Sequence, residues 1–380
     1  MLQRTLNLSK LLKKSSHFLL GPRGSGKSTL IREEGLHESG LIDLLDSKIY
    51  LRLKGDPSLL GSLATRPTTV IDEVQRIPEL LNEVHRLIEN EGKRFLLTGS
   101  SSRKLKRGGA NLLAGRAFMA ELFPLTWKEI SRAQTFDLGR YLLFGGLPMA
   151  YLGEHPRDYL HAYGDTYLKE EIQSEGLTRN LPNYTRFLQS AAFNNGRLLN
   201  YTKVANDAGL SPNTVRDYYQ ILQDTLLAFE LPPWRGSKKR KPIQTAKFYF
   251  FDPGITHILR ETEALDPKSD IFGTSLEQFI ACELRAYLSY KNSRLPLQFW
   301  RSKSQMEVDF VIGDKMAMEV KASKKVGKRE HKGLLAIQEE RSWEHLLLIS
   351  CDELEMQGPN GIRHLHWETF LSELWQDKFF

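Results

Sequence analysis

Lys27 and Ser28 close the stretch GPRGSGKS, residues 21–28, and an apolar run from His17 to Leu20 leads into it. The spacing is G-x-x-x-x-G-K-[ST], with Gly21, Gly26, Lys27 and Ser28 at the fixed positions. Glycines let the backbone curl until successive N–H groups point at one phosphate. Pro22, Arg23, Gly24, Ser25 and Thr29 complete the cradle for ATP, Lys27 supplies a point charge to the β- and γ-phosphates, and Ser28 places a hydroxyl on Mg²⁺. A second stretch, TTVIDEVQRIPEL at 68–80, ends a β-branched run in Asp72-Glu73. Active groups gather at the C-terminal ends of parallel strands. Asp72 there holds the Mg²⁺ water shell, and Glu73 orients the attacking water. A third strand, KRFLLTGSSS, offers Thr98 or Ser100 as a polar sensor of the γ-phosphate. In ring ATPases an arginine of one subunit reaches the nucleotide of its neighbour, and Arg116, before the apolar run at 117–123, is the candidate here.

A second set of reactive types lies in MEVDFVIGDKMAMEVKAS, residues 306–323. Residues two apart on a strand share a face, so Glu319 and Lys321 point one way and Val320 the other. If strands 306–312 and 316–321 form a hairpin, a two-residue turn puts Asp309 and Glu319 on opposite faces. A three-residue turn, Gly313-Asp314-Lys315, pairs 312 with 316 and 309 with 319, and the carboxylates then share a face. Glu277, on the preceding helix, is a further acidic ligand. Two carboxylates can hold Mg²⁺ or Mn²⁺, and Lys321 can stabilise an attacking hydroxide or developing phosphorane charge. The order helix, three strands, helix, strand over 272–351 is that of the PD-(D/E)XK nuclease-like fold. Two readings stand: a cutting site, and a retained fold that no longer cuts and serves for DNA holding or assembly.

The elements between must carry these groups. YTKVANDAGLSPNTVRDYYQILQDTLLAFEL, residues 201–231, predicts helix-turn-helix. Gly209 supplies the left-handed turn residue, Ser211 the N-cap and Pro212 the first helical position. Val215, Tyr219 and Leu222 form an apolar stripe. Asn213, Thr214, Arg216 and Asp217 fall on the exposed N-terminal half, where recognition helices face DNA. LAFEL and KFYFFD flank PPWRGSKKRKPIQTA, which predicts a winged helix with a basic wing: Arg235, Lys238, Lys239, Arg240, Lys241 and Lys247. DNA contact there is largely to phosphate, hence salt-sensitive; the alternative is a spacer between domains or toward protein partners.

The 380 residues suit two or three domains, and 41% hydrophobic with 26% charged residues builds ordinary cores. The net charge of +7 favours polyanionic partners. No run reaches a membrane span, the N-terminus lacks a secretory pattern, and Cys282 and Cys351 form no metal or redox motif. A cytoplasmic setting without membrane contact is expected.

Together LLGPRGSGKSTLI, VIDEVQRIPEL, LLTGSSSRKL…LAGRAFMAELFPLTWKEI, YLLFGGLPMAYL and the EVDF…EVKAS pair resemble a large prokaryotic group of AAA+-type ATPases with a C-terminal extension. The resemblance covers nearly the whole chain. It implies an α/β fold with an ASCE-type ATPase core and a helical lid. The expected division is 1–123 ATPase core, 124–183 lid, 184–255 winged helix and 256–380 nuclease-like domain. The usual lid arginine has no counterpart beside GGLP at 145–148. The functional expectation is a DNA-remodelling ATPase acting on branched or other DNA structures, in a ring-like homo-oligomer with six subunits favoured. An ATP-regulated nuclease and a nucleotide switch acting on a protein partner are the alternatives.

Overall fold

The computed structural model describes residues 2–99, 113, 115–167 and 180–380. Its N-terminal third is built on five parallel strands: β1 Ser16–Leu20, β2 Leu41–Asp43, β3 Thr68–Asp72, β4 Arg94–Gly99 and β5 Ala117–Glu121, in the order β2-β3-β4-β1-β5. The strands are continuous apolar runs because both faces are covered. Phe18, Leu20, Ile71, Phe95 and Leu97 face one core, and Leu19, Val70, Leu96 and Ala120 the other. This is an α/β sheet consistent with a P-loop fold. Helix α1 (Lys27–Glu33) follows β1, and α2 (Leu80–Glu91) precedes β4.

Four short helices follow: α3 Trp127–Ser131, α4 Leu138–Phe144, α5 Pro148–Tyr151 and α6 Pro156–Ala162. They belong to the span expected as a lid, of which 168–179 lie outside the described residues. Their apolar side chains divide between two cores. Leu125, Ile130, Tyr141, Leu142 and Tyr151 pack into the core of the C-terminal unit. Leu147, Ala150, Leu160 and Tyr163 pack into that of the middle unit.

The middle unit stacks α7 (Leu181–Phe193), α8 (Tyr201–Ala208) and α9 (Pro212–Asp224) against an antiparallel ribbon of β6 (Ala228–Leu231) and β7 (Lys247–Phe250). The α8–α9 corner turns at Gly209, which is left-handed (φ 65°), and the Ser211 hydroxyl accepts the Thr214 amide at 3.1 Å. Helix α10 (Pro253–Leu259) follows, capped by Asp252.

The C-terminal unit is a six-stranded sheet between α11 (Asp270–Tyr290), α12 (Lys332–Gln338) and α13 (Trp367–Trp375). Its strands are β8 Leu297–Arg301, β9 Glu307–Ile312, β10 Met316–Lys321, β11 His345–Ser350, β12 Met356–Gln357 and β13 Arg363–His366, in the order β12-β13-β11-β10-β9-β8. β8, β9 and β10 are antiparallel; β10, β11 and β13 are parallel. The β9–β10 hairpin pairs Ile312 with Met316 and Phe310 with Met318. That is the register of a three-residue turn, and Gly313 occupies it with φ 54°.

Candidate functional site

β1 delivers the chain to Gly21 at the C-terminal edge of the first sheet. A Cβ on Gly21 would lie 2.5 Å from the Leu122 carbonyl oxygen, so no larger residue fits. Gly24 and Gly26 take left-handed backbone (φ 78° and 96°), which a side chain resists. The loop thus curls around the Lys27 ammonium, which donates to the carbonyl oxygens of Gly21 (2.7 Å) and Pro22 (3.3 Å). Ser25 is fully buried, and Ser28 and Thr29 are exposed on the first turn of α1. From below, Arg4 donates to the Ser25 carbonyl at 2.8 Å and pairs with the buried Glu129 at 3.2 Å.

β3 ends at Asp72 and β4 at Gly99, so Asp72 and Thr98 meet at the same edge. The Thr98 hydroxyl donates to Asp72 Oδ1 and accepts the Glu73 amide at 3.0 Å. Glu73 is left-handed (φ 58°), an uncommon backbone state for a residue with a side chain, and Gln75 Nε2 donates to its carboxylate. Thr98 is therefore the polar group joined to the acidic pair; Ser100 lies outside the described residues.

The GGLP turn meets this site directly. From Cβ positions built on Gly24 and Gly26, Leu147 and Pro148 carbons are each 3.8 Å away, and the Tyr163 hydroxyl donates to the Arg23 carbonyl at 2.9 Å. The turn is held by a residue more than a hundred positions downstream. Fully buried Asp252 accepts the Gly146 amide at 2.8 Å and the Ile255 amide at 3.3 Å. A Cβ on Gly145 would fall 1.8 Å from its Oδ1. Burial pushes the Asp252 carboxyl up to about 6, against the pull of the backbone amides of Gly146, Ile255, Gly254 and Leu147.

Arg116 stands at the opposite edge. It precedes β5, whose Ala117 is level with Ser16 at the start of β1, and it pairs with Glu89 of α2. It cannot serve the nucleotide site of its own chain.

The second acidic set departs from expectation. Asp309 and Glu319 do come to one place, where Asp309 Oδ2 accepts the Val320 amide at 2.9 Å. Lys247, expected on an exposed wing, is buried among them. Its Nζ lies 2.7 Å from Glu307, 2.9 Å from Glu277 and 3.6 Å from Asp309. β7 must pair with β6, and this points its first side chain at α11 and β9. Burial works against the charge on Lys247, but Glu277, Tyr249, Asp309 and Glu307 hold its pKa well above the ordinary value. Lys321 pairs with Glu319 at 2.7 Å. The other Glu319 oxygen is buried with no hydrogen-bond partner, and a Cβ on Gly333 would lie 2.6 Å from it. Burial, then the neighbouring Asp309, raise Glu319 to about 7. The expected metal trio Glu277, Asp309 and Glu319 is thus divided between two ammonium groups. Among the described residues, no group of three or more His, Cys, Asp and Glu side chains is placed to hold a metal ion.

Asn213 and Arg216 are exposed on the first turns of α9, Thr214 is half-buried, and the Arg216 guanidinium lies 5.4 Å from the Tyr201 ring centre. The basic segment after β6 is not a free wing. Trp234 is buried among Trp300, Leu334 and Ile337, and its amide donates to the Phe299 carbonyl at 2.6 Å. Arg240 reaches Glu339 (2.8 Å) and Glu340 (3.2 Å), and Glu340 also accepts the amides of Lys238 and Lys239. The side chains of Arg235, Lys238, Lys239 and Lys241 remain exposed. Sequence reasoning missed Arg4, Gln75, Asp252 and the burial of Lys247; only the Asp-Pro helix-start pattern at 252–253 was a local signal for any of them.

Residues 13–131 match the family described as an AAA domain, and 135–266 and 272–369 match two domains of unknown function, DUF8612 and DUF4143. The first match supports a P-loop ATPase of the AAA type. The chain is 28% identical over 302 residues to an uncharacterized protein of Mycobacterium tuberculosis, which covers 77% of this chain and 66% of the relative. It is 22% identical over 295 residues to an uncharacterized protein of Haemophilus influenzae (70% of this chain, 72% of the relative). An uncharacterized protein of Methanocaldococcus jannaschii is 25% identical over 276 residues (66% of this chain, 59% of the relative). No helix among the described residues is long and apolar enough to cross a membrane.

Proposed function

We propose that this chain, whose N-terminal third is an AAA-type ATPase domain, hydrolyses ATP and couples turnover to DNA held by its middle and C-terminal units. The observation that carries the reading is the meeting of Asp72, Glu73 and Thr98 at the strand edge that also presents the Lys27 loop. The residues fit nucleotide. The loop packs at Gly21 so close to the Leu122 carbonyl that no Cβ fits, which permits its tight curl, and Lys27 brings the charge that phosphate oxygens require. Mg²⁺, held by Ser28 and through water by Asp72, would neutralise the oxygens of the β- and γ-phosphates. Glu73 would orient the attacking water, Thr98 fixes the acidic pair, and Leu147 and Pro148 pack beside the loop.

The DNA side of the proposal is supported by the helix–glycine turn–helix corner followed by a ribbon, as in winged helices. The exposed Asn213, Arg216, Lys238, Lys239 and Lys241 and the excess of positive charge also support it. The order of α11, β8–β10, α12 and β11 is the one expected of a nuclease-like fold and supports that part of the reading. In a ring-like assembly, Arg116, at the far sheet edge, would act on a neighbour's nucleotide and not on its own. The test is the ATPase rate with and without single-stranded, duplex and four-way-junction DNA. DNA stimulation that disappears in Lys27→Ala supports the reading; an ATPase indifferent to all three DNA forms redirects it to a switch acting on protein.

A further inference from the structure

The carboxylates on β9 and β10 are those in which a metal-dependent nuclease would seat its cation, and the residues around them do not fit one. Four acids meet here: Glu277, Glu307, Asp309 and Glu319. Three cations already answer them: Lys247 lies within 2.7–3.6 Å of three acids, Lys321 at 2.7 Å from Glu319, and Arg301 at 3.3 Å from Glu307. A dication added to this set would face three resident positive charges at contact range. We propose that Lys247 takes the place of the divalent cation, so that the ribbon of the middle unit closes the C-terminal carboxylate site from within and makes it a non-cutting module.

Geometry makes the lysine a fixture. Its backbone is paired on both sides, with Leu231 of β6 and in an isolated bridge with Leu198. Its ammonium lies 5.5 Å from the centre of the Phe299 ring, within cation–π range. Tyr249, two residues along the same face of β7, donates to Glu277 at 2.5 Å, so a second group from the ribbon occupies the same carboxylate. Withdrawing Lys247 would break strand pairing and leave carboxylates buried without a counter-charge. On the far side, Glu319 turns one oxygen onto α12 at Gly333. Lys321 pairs with Glu319, which adds a second resident ammonium to the set. The cleft beside these groups is lined by Ser269, Thr274, Glu277, Asp309, Lys321 and Lys324, a mixed surface on which lysines and hydroxyls can meet phosphate.

The inference is independent of the ATPase reading, and its test is run on the full chain without nucleotide. Mn²⁺ is titrated by electron paramagnetic resonance against wild type, Asp309→Asn, Lys247→Met and Lys247→Met combined with Asp309→Asn. Wild type is expected to show no Asp309-dependent Mn²⁺. Lys247→Met should gain one Mn²⁺ per chain, lost again when Asp309→Asn is added. Asp309-dependent Mn²⁺ in wild type overturns the proposal, as does a folded Lys247→Met chain with no new site. If Lys247→Met does not fold, Lys247→Arg carries the test: it keeps a cation in place and must stay free of Asp309-dependent Mn²⁺, and uptake there overturns the proposal. Plasmid cleavage by wild type in Mn²⁺ that Asp309→Ala abolishes would overturn it too.

Discussion

The chain carries two carboxylate sets at the edges of two sheets, and they are held in different ways. At the first, the Asp72 carboxylate accepts from a neutral hydroxyl, that of Thr98. Asp309, Glu277 and Glu319 are held by ammonium groups, Lys247 and Lys321. Neutral partners orient an anion and leave its charge to be used; cationic partners spend that charge on folding. The same residue types, Asp, Glu and Lys, therefore stand at the proposed nucleotide site in one sheet and at a joint between units in the other.

The largest effect expected from this contrast is on catalysis. Glu73→Gln should retain ATP binding and lose about 10²–10⁴-fold in turnover, the range for removing a positioned base; Asp309→Asn should leave turnover nearly unchanged. Equal losses in both variants, measured as steady-state phosphate release, would break the comparison. Stability should respond in the opposite sense. Lys247→Met strands buried carboxylates and should cost about 3–5 kcal/mol in denaturant unfolding, as for a buried pair losing one partner. Lys27→Met, which removes hydrogen bonds to the Gly21 and Pro22 carbonyls, should cost less.

Glu283 sharpens the contrast from a third direction. It is buried with only N–H donors, the Trp127 amide at 2.6 Å and Trp375 Nε1 at 2.9 Å. Burial pushes it from 4.5 up to about 8. The folded state thus keeps this proton where the unfolded chain has lost it. The stabilisation it gives is complete below pH 4.5 and is lost as pH rises toward about 8. Glu283→Gln should flatten the decline of the melting temperature across that window. An unchanged slope would mean that the acid is ionised in the fold.

The smallest expected effect concerns DNA. With Arg240 docked on Glu339 and Glu340, Lys238, Lys239 and Lys241 carry the accessible charge of the KKRK run. Replacing these three with Ala should weaken binding to unrelated sequences and flatten the salt slope by up to about 2.7, at about 0.9 per phosphate contact. Arg240→Ala should lower stability more than it changes that slope. The reverse pattern would return Arg240 to the solvent face.

Much of this was legible where the determinants are local. The phosphate loop is a contiguous pattern. The α8–α9 corner needs only Gly209, Ser211 and Pro212. The alignment of Asp309 with Glu319 follows from the parity of one turn. Lys247 was misread because a lysine close after KKRK looks solvated; its acid partners lie on α11 and β9, and only the β6–β7 pairing aims it at them. Arg240 was misread for the same reason, its partners being about a hundred residues away. Asp252 could be seen as a helix cap but not as the anchor of a glycine turn on another unit. The lid span gave helices but not their allegiance, because which core each apolar face joins depends on units that come later in the chain.

That anchor has a consequence for the order in which the protein is made. The GGLP turn that lies over the phosphate loop is fastened by Asp252, and Arg4 beneath the loop is fastened by Glu129. A ribosome-bound chain that has not yet extruded residue 252 owns every residue of the GKS motif but not the carboxylate that seats its cover. The cover of the loop is therefore seated late in synthesis, once the middle unit has emerged and folded.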